Sequence, residues 1–353
     1  MLKIKNLLDN LIPFVFKGDC MRTSRIKIES RTASAVYHCI SKTNNSERLI
    51  ESLAAKEVLR KQLWQIAEYC GVQILTYAVM SNHFHVLVRV PLKTDLPDEE
   101  LLRRFQILYP KPSKYKDTDI NAIAAKLKEG GHAADAWRQQ QLALMCDVSQ
   151  FMKLFKQRFA IWFNRTHNRH GYFWSDRFKS VLVEGRGNVL STMAAYIDLN
   201  PVRAGLVSDP KDYRFCGYAE AVQGKKAARD GVIAVVSGSD SQTWGRAQAI
   251  YRMRLFGRGA IARKDKAAIT PEALEKVMAE KGTLPLATVL RCRVRYFTEG
   301  AVLGSEAFVA KHLADYQRRT GYRKRTSLRP FPKVTEEWGD LAAMRGGRKK
   351  VFG

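Results

Sequence analysis

The segment 33–41, ASAVYHCIS, is apolar in most positions and is followed by the polar string KTNNSE, the pattern of a strand ended by a turn. From 49 to 70, Leu49, Leu53, Val58, Leu63, Ile66 and Tyr69 recur three to five residues apart, which predicts a helix that Gly71 closes. Residues 72–90, VQILTYAVMSNHFHVLVRV, read as two strands paired through a short turn at 80–82. A helical period returns at 148–168, with Phe151, Leu154, Phe155, Phe159 and Trp162 on one side. The string 172–185, YFWSDRFKSVLVEG, predicts a further strand. Asn188 can cap a helix that runs to about Asn200, where Pro201 stops it.

The predicted order is therefore strand, helix, two strands, helix, strand, helix. That order fits an α+β fold of the ferredoxin-like kind, an antiparallel sheet with helices on one face. Residues 91–147 interrupt it with PKPSKYKD, a Gly-Gly pair and many charges, and read as an insertion with helices at 98–108 and 119–129. Three regions are expected: an N-terminal extension over 1–32, an α+β domain over 33–220 and a mostly helical, basic C-terminal region over 221–353. Within the last, 290–317 has the makings of a small helical DNA-reading unit, and 318–325 and 346–350 are basic tails.

Charge changes the picture from fold to partner. The 353 residues carry a formal net charge of +26, a surplus that attracts phosphate backbones. The apolar fraction of 46% excludes a disordered chain. Six scattered cysteines with no CxxC pair exclude a zinc ribbon and a disulfide framework, and read as reduced core thiols in a cytoplasmic setting. No apolar run is long enough for a membrane span, so no membrane partner is expected. The N-terminal LLDNLIPFVF, broken by Asp9 and Pro13, is a poor signal peptide.

Two constellations carry possible chemistry. His83 and His85 flank Phe84 in an apolar strand, so both imidazoles point to one face and can together grip a divalent ion. Taken alone, such a pair is more often structural. Tyr196 and Asn200 lie one helical turn apart and project together. Taken alone, Tyr196 fits a core residue and Asn200 a cap. The remaining histidines, His38, His132, His167, His170 and His312, are assigned ordinary roles.

The strings YAVMSNHFHVLV (77–88), FNRTHNRHGYFWSDRFKS (163–180) and YIDLNPVRAGLV (196–207) together resemble the REP-associated tyrosine transposases, in the Y1 HUH superfamily of IS200-like elements. The resemblance implies a ferredoxin-like catalytic core and assigns residues one by one. His83 and His85 would be metal ligands, Tyr196 the nucleophile and Asn200 the polar residue that completes the metal site. It also implies a divalent metal, Mg2+ or Mn2+; imidazole suits the latter better. The implied reaction is cleavage and strand transfer of single-stranded DNA through a 5′-phosphotyrosine, at hairpins formed by REP-like palindromes, by a monomer or homodimer. Family members are commonly about half this length, and 91–147 and the region after 220 have no counterpart in the pattern. Arg165, Arg169, Trp174, Arg177, Lys179 and Arg203 are the candidate DNA contacts, since charge interleaved with rings suits single strands. The rings of this set fit the core equally well. Rival readings are a non-catalytic DNA-binding regulator on the same fold and a metal-dependent nuclease that uses water.

Overall fold

The structure, a computed structural model, describes residues 25–112, 118–237, 243–257, 284–291, 293–320, 327–332 and 335–345. Strands β1 (Ala35–Lys42), β2 (Gln73–Val79), β3 (His83–Val90) and β4 (Lys179–Val183) form an antiparallel sheet in the order β2-β3-β1-β4. Helix α1 (Leu53–Cys70) connects β1 to β2, and α5 (Val148–Thr166) connects β3 to β4. This is the β-α-β-β-α-β ferredoxin-like arrangement that the patterning predicts.

Local chemistry accounts for the elements. Ser52 caps α1 by accepting from the Ala55 N–H, and Gly71 ends it with a left-handed φ of 63°. Asp147 caps α5 through the N–H groups of Ser149 and Gln150. Period two then sorts each strand. Phe84, Val86 and Val88 face α1 and α5, where the Phe84 ring meets Phe155 at 5.1 Å. His83, His85 and Leu87 face the opposite side, together with Val36, His38, Ile40 and Lys42 of β1.

That second face is covered by α6 (Gly187–Asp198). Asp198 ties it down: its buried carboxylate accepts from Thr76 Oγ1 of β2 at 2.8 Å, from Tyr251 Oη at 2.6 Å and from the Tyr218 N–H at 3.2 Å. The insertion after β3 folds into helices α2 (Asp98–Leu108), α3 (Ile120–Glu129) and α4 (Gly131–Leu142), the first two where the sequence predicts them. They share a small core of Phe105, Ile123, Leu127 and Ala134.

Three expectations need correction. The strand predicted over 172–185 is confined to β4, because Phe173 and Trp174 turn inward to pack against Phe159 and leave only an isolated bridge from Thr43 to Trp174. Residues 25–32, assigned to the extension, pack on the domain: Ile26 is buried, Arg25 stacks on Phe178 and Lys27 pairs with Asp147. The C-terminal region is mostly helical, as expected, and in addition supplies three strands, β5 (Val302–Ser305), β6 (Ser327–Pro330) and β7 (Leu341–Arg345). They extend the sheet to seven strands, β5 running parallel to β4. Residues 290–317 are therefore no separate helical unit, since β5 lies inside them. The tail at 346–350, most of 318–325, residues 1–24, and Cys20 and Cys292 lie outside the described residues. Cys39, Cys70, Cys146 and Cys216 are buried free thiols, as predicted. No helix among the described residues is long and apolar enough to cross a membrane.

Burial raises the Asp198 carboxyl from 3.8 to about 6, against the lowering effect of its hydrogen bonds. The folded chain therefore binds this proton more tightly than the unfolded one, so stability falls as pH rises from about 4 through about 6. Relative to Asp198→Asn, the wild type is expected to lose roughly 2 kcal/mol across that window. Urea titrations of both proteins at the two ends of the window measure the difference; equal pH responses would contradict it.

Candidate active site

Three histidines cluster on the face beneath α6, two of them hydrogen-bonded to each other and the third to a turn residue. His38 Nδ1 lies 2.7 Å from the Phe297 carbonyl oxygen, and His38 Nε2 lies 2.9 Å from His85 Nδ1. His83 Nδ1 lies 2.7 Å from Asn82 Oδ1, whose own amide nitrogen donates to the Ser46 carbonyl at 3.0 Å. The His38 and His85 rings lie edge to edge with centroids 5.1 Å apart and planes 21° from parallel, and the His83 ring meets His85 edge-on at the same centroid distance.

These contacts determine where the protons sit. A carbonyl oxygen only accepts, so His38 Nδ1 carries a hydrogen. Burial disfavours charge on the ring, which leaves His38 Nε2 as an acceptor and makes His85 Nδ1 the donor to it. By the same logic His83 Nδ1 donates to Asn82. Both strand-β3 imidazoles are thus left with a bare Nε2 lone pair, the form a metal takes. Desolvation, assisted by surrounding cations, lowers His83 to about 4 and His85 well below its ordinary value; desolvation lowers His38 to about 4. The rings are neutral near pH 7.

Positive charge surrounds the group. Lys42 stands opposite His83 in the β1–β3 pairing, and Lys179 stands opposite Ile40 on the same face. The charges of Lys42, Arg203 and Arg293 all act on His83. Arg203 acts on His38 and His85 as well.

Tyr196, on α6, meets Phe297, the residue whose carbonyl engages His38. Tyr196 is only 2% exposed, with the Arg203 guanidinium 3.9 Å above its ring and Phe297 edge-on at 4.8 Å. Burial raises its phenol above 10, while Arg203 and Arg293 pull it down. Arg203 is held in place as well as charged: its two terminal nitrogens donate to the Tyr196 and Leu290 carbonyls, each at 2.6 Å. Sequence reasoning placed it among the candidate DNA contacts, and here it braces the tyrosine helix against the C-terminal region. Asn200 turns its amide nitrogen onto the carbonyls of Ile197 at 3.0 Å and Tyr196 at 3.4 Å, the capping role left open by the sequence. Its Oδ1 is then the atom that a metal could take.

The remaining candidates divide. Arg165, Arg177 and Lys179 are exposed, as phosphate contacts must be. Arg169 is partly buried, donates to the Tyr172 carbonyl at 3.1 Å and approaches Glu47 at 3.9 Å. Trp174 belongs to the ring cluster of Phe84, Phe159 and Phe173 and spends its N–H on the Lys156 carbonyl. Tyr172, 85% exposed, is the ring of that segment available for stacking. Sequence reasoning missed His38, Lys42, Phe297 and Arg293. The first two carried a readable signal, since alternation along β1 puts them on the face that a paired β3 shares; the last two did not.

The donor set suits a divalent ion. Two convergent neutral imidazoles with engaged Nδ1 atoms are a first-row metal grip. Among the described residues no group of three His, Cys, Asp or Glu could hold a metal, so further positions would fall to oxygen from Asn200, substrate or water.

Comparison with known proteins agrees with the segment bearing the histidines. Residues 31–99 match the family model described as "Transposase IS200 like", a span that includes His38, His83 and His85 and ends before Tyr196. That segment is IS200-transposase-like, as its motifs indicate. No curated protein matches the chain. A solved structure described as a REP-associated tyrosine transposase bound to a REP hairpin is similar at 14% identity and a TM-score of 0.33, over 63% of this chain and 95% of that one.

If burial keeps these rings neutral, the Cε1–H resonances of His38 and His83 will hold their neutral positions from about pH 7.5 to about pH 5.5. They should move only as the pH approaches about 4. A midpoint near 6.5 for either, in histidine-selective NMR, would contradict the enclosed geometry.

Proposed function

We infer that the chain cleaves and rejoins single-stranded DNA at hairpin-forming, REP-like repeats, with Tyr196 as nucleophile. One observation carries this reading. Arg203 acts on Tyr196 and on all three histidines, so a phenol and two lone-pair imidazoles share one positive environment. A divalent ion such as Mn2+ or Mg2+, held by His83 Nε2 and His85 Nε2 with Asn200 Oδ1 beside them, would polarise the non-bridging oxygens of a phosphodiester.

The chain's own residues supply the rest. Tyr196 Oη attacks the scissile phosphorus, and the P–O3′ bond breaks as the O–P bond forms. The phenolic proton is lost and the departing 3′ oxygen takes one up, leaving a 3′-OH and a 5′-phosphotyrosine. Arg203 and Arg293 favour the phenolate that burial opposes. The covalent link conserves the phosphoester, so a second 3′-OH can reverse the step and join a new strand. Arg165, Arg177, Lys179 and Lys42 would track the DNA backbone, with Tyr172 as a stacking platform.

A second reading, a DNA-binding regulator without turnover, draws on one feature: Tyr196 is enclosed by Phe297 and Arg203, and a phosphate must displace that cover to meet the phenol. Incubation with a single-stranded hairpin oligonucleotide and Mn2+, followed by a denaturing gel, separates the possibilities. A covalent protein–DNA adduct is expected with wild type and none with Tyr196→Phe or with EDTA. Tight binding without an adduct would favour the regulator, and cleavage that survives Tyr196→Phe would favour a water nuclease.

Affinity for the same oligonucleotide should fall steeply with salt. Four backbone-tracking cations give a slope of about −3 in log K against log salt for a single strand. Lys179→Ala should flatten that slope by about 0.7 and weaken binding uniformly across sequences. A salt-independent affinity would rule out a phosphate-tracking face.

A further inference from the structure

The geometry points to His38 as a positioning residue: it takes its orientation from the Phe297 carbonyl and, through its second nitrogen, fixes His85 in the tautomer that presents Nε2. This rests on the reading that His83 and His85 hold a divalent cation.

The argument is one of hydrogen-bond polarity. His85 is 4% exposed and His38 is fully buried, so no bulk water is at hand to satisfy either ring. A neutral imidazole has one donor and one acceptor, and either nitrogen of His85 could carry the hydrogen. If Nε2 carried it, the proton would stand where a cation must bind. His38 decides between the two. The Phe297 carbonyl oxygen, 2.7 Å from His38 Nδ1, can only accept. His38 therefore presents an acceptor at Nε2, 2.9 Å from His85 Nδ1, and the hydrogen of His85 is drawn to Nδ1. The two rings lie within 21° of parallel planes, so the His38 lone pair is directed along the N···N line and orientation is fixed along with the proton.

His83 reaches the same tautomer by a separate and local route. Asn82 offers its Oδ1 because its amide nitrogen is committed to the Ser46 carbonyl. The two metal-facing rings are thus set independently, one by a turn residue next to it and the other from a distance. The distant route begins in the C-terminal region. Phe297 lies in the short helix Arg295–Glu299, outside the IS200-like segment, and its ring also packs on Tyr196. The C-terminal region therefore reaches the site twice through one residue, by carbonyl to the histidines and by ring to the tyrosine.

Such outer partners of metal-bound histidines typically contribute 10–100-fold in metal affinity. The test compares wild type, His38→Phe, which keeps a ring but offers no hydrogen bond, and His38→Gln, whose amide oxygen can accept from His85. Long-range 1H–15N spectra of the metal-free, histidine-labelled proteins read the tautomers directly. Mn2+ titration followed by EPR reads affinity. Wild type and His38→Gln should show His85 with its hydrogen on Nδ1. His38→Phe should lose that tautomer and bind Mn2+ roughly 10–100-fold more weakly, with the His83 tautomer unchanged. Circular dichroism establishes that each variant is folded; should His38→Phe not fold, the wild-type and His38→Gln tautomers decide the question. Hydrogen on Nε2 of His85 in wild type, a His85 tautomer unaltered by His38→Phe, or loss of the Nδ1–H form in folded His38→Gln overturns the proposal. Absence of Mn2+ binding by wild type would count against the metal site itself, and the spectra would then judge the role of His38 alone.

Discussion

Because β1 and β3 pair antiparallel with Lys42 opposite His83 and Ile40 opposite His85, the side chains of the site are brought to one face by backbone register. His38 falls diagonally across from His85, close enough for ring-to-ring hydrogen bonding. A slip of one residue in β3 would turn both histidines into the layer of α1 and α5 and expose Phe84 and Val86 in their place. The apolar side chains of β3, nearly inaccessible to water, make that exchange costly. The core therefore enforces the site: what keeps Phe84 against Phe155 also keeps the imidazoles beside one another.

Given that placement, electrostatics follows. Three rings gathered under a helix, with Lys42, Arg203 and Arg293 around them, cannot readily take up protons. Neutral histidines beside three cations, one of them paired with Glu299, make a site complementary to anions and to metal–anion pairs. Tyr196 answers to two opposed influences, since desolvation holds its proton on and the guanidinium groups draw it off. Arg203 links both halves, for it shares its hydrogen bonds between the tyrosine helix and the C-terminal Leu290.

The sequence made local structure legible wherever one residue decides it. Ser52 and Gly71 delimit α1, Met80–Asn82 turn the hairpin, and the alternation around Phe84 orients the histidine pair. It also made the four-strand topology legible, because helix and strand periods follow one another in chain order. Illegible were the interactions between segments far apart in the chain. Phe173 and Trp174 look like strand residues, and only the presence of Phe159 explains why they turn inward. Val302 and Leu303 pair with β4 across more than a hundred residues, so nothing near them in sequence announces a strand. His38 looked ordinary for the same reason, its two partners being Phe297 and His85. Arg203 carried a real signal, its place just after the tyrosine helix, but its hydrogen-bond partners in space decide its task.

The added strands also bear on how copies of this chain can meet. In the four-strand core, β4 would be an open edge, and β5 closes it by parallel pairing. The far end of the enlarged sheet is the four-residue β6, which terminates in Pro330 and offers little backbone to a neighbour. At the opposite end, β2 is bridged at Ala78 by Cys216, and the Phe215 carbonyl receives the Val79 N–H. Gly231, lacking a side chain, lets its helix lie directly on the carbonyls of Ile74 and Leu75. Among the described residues, both margins of the sheet are thus sealed or blunted from within, so these strands offer a poor template for strand-to-strand continuation.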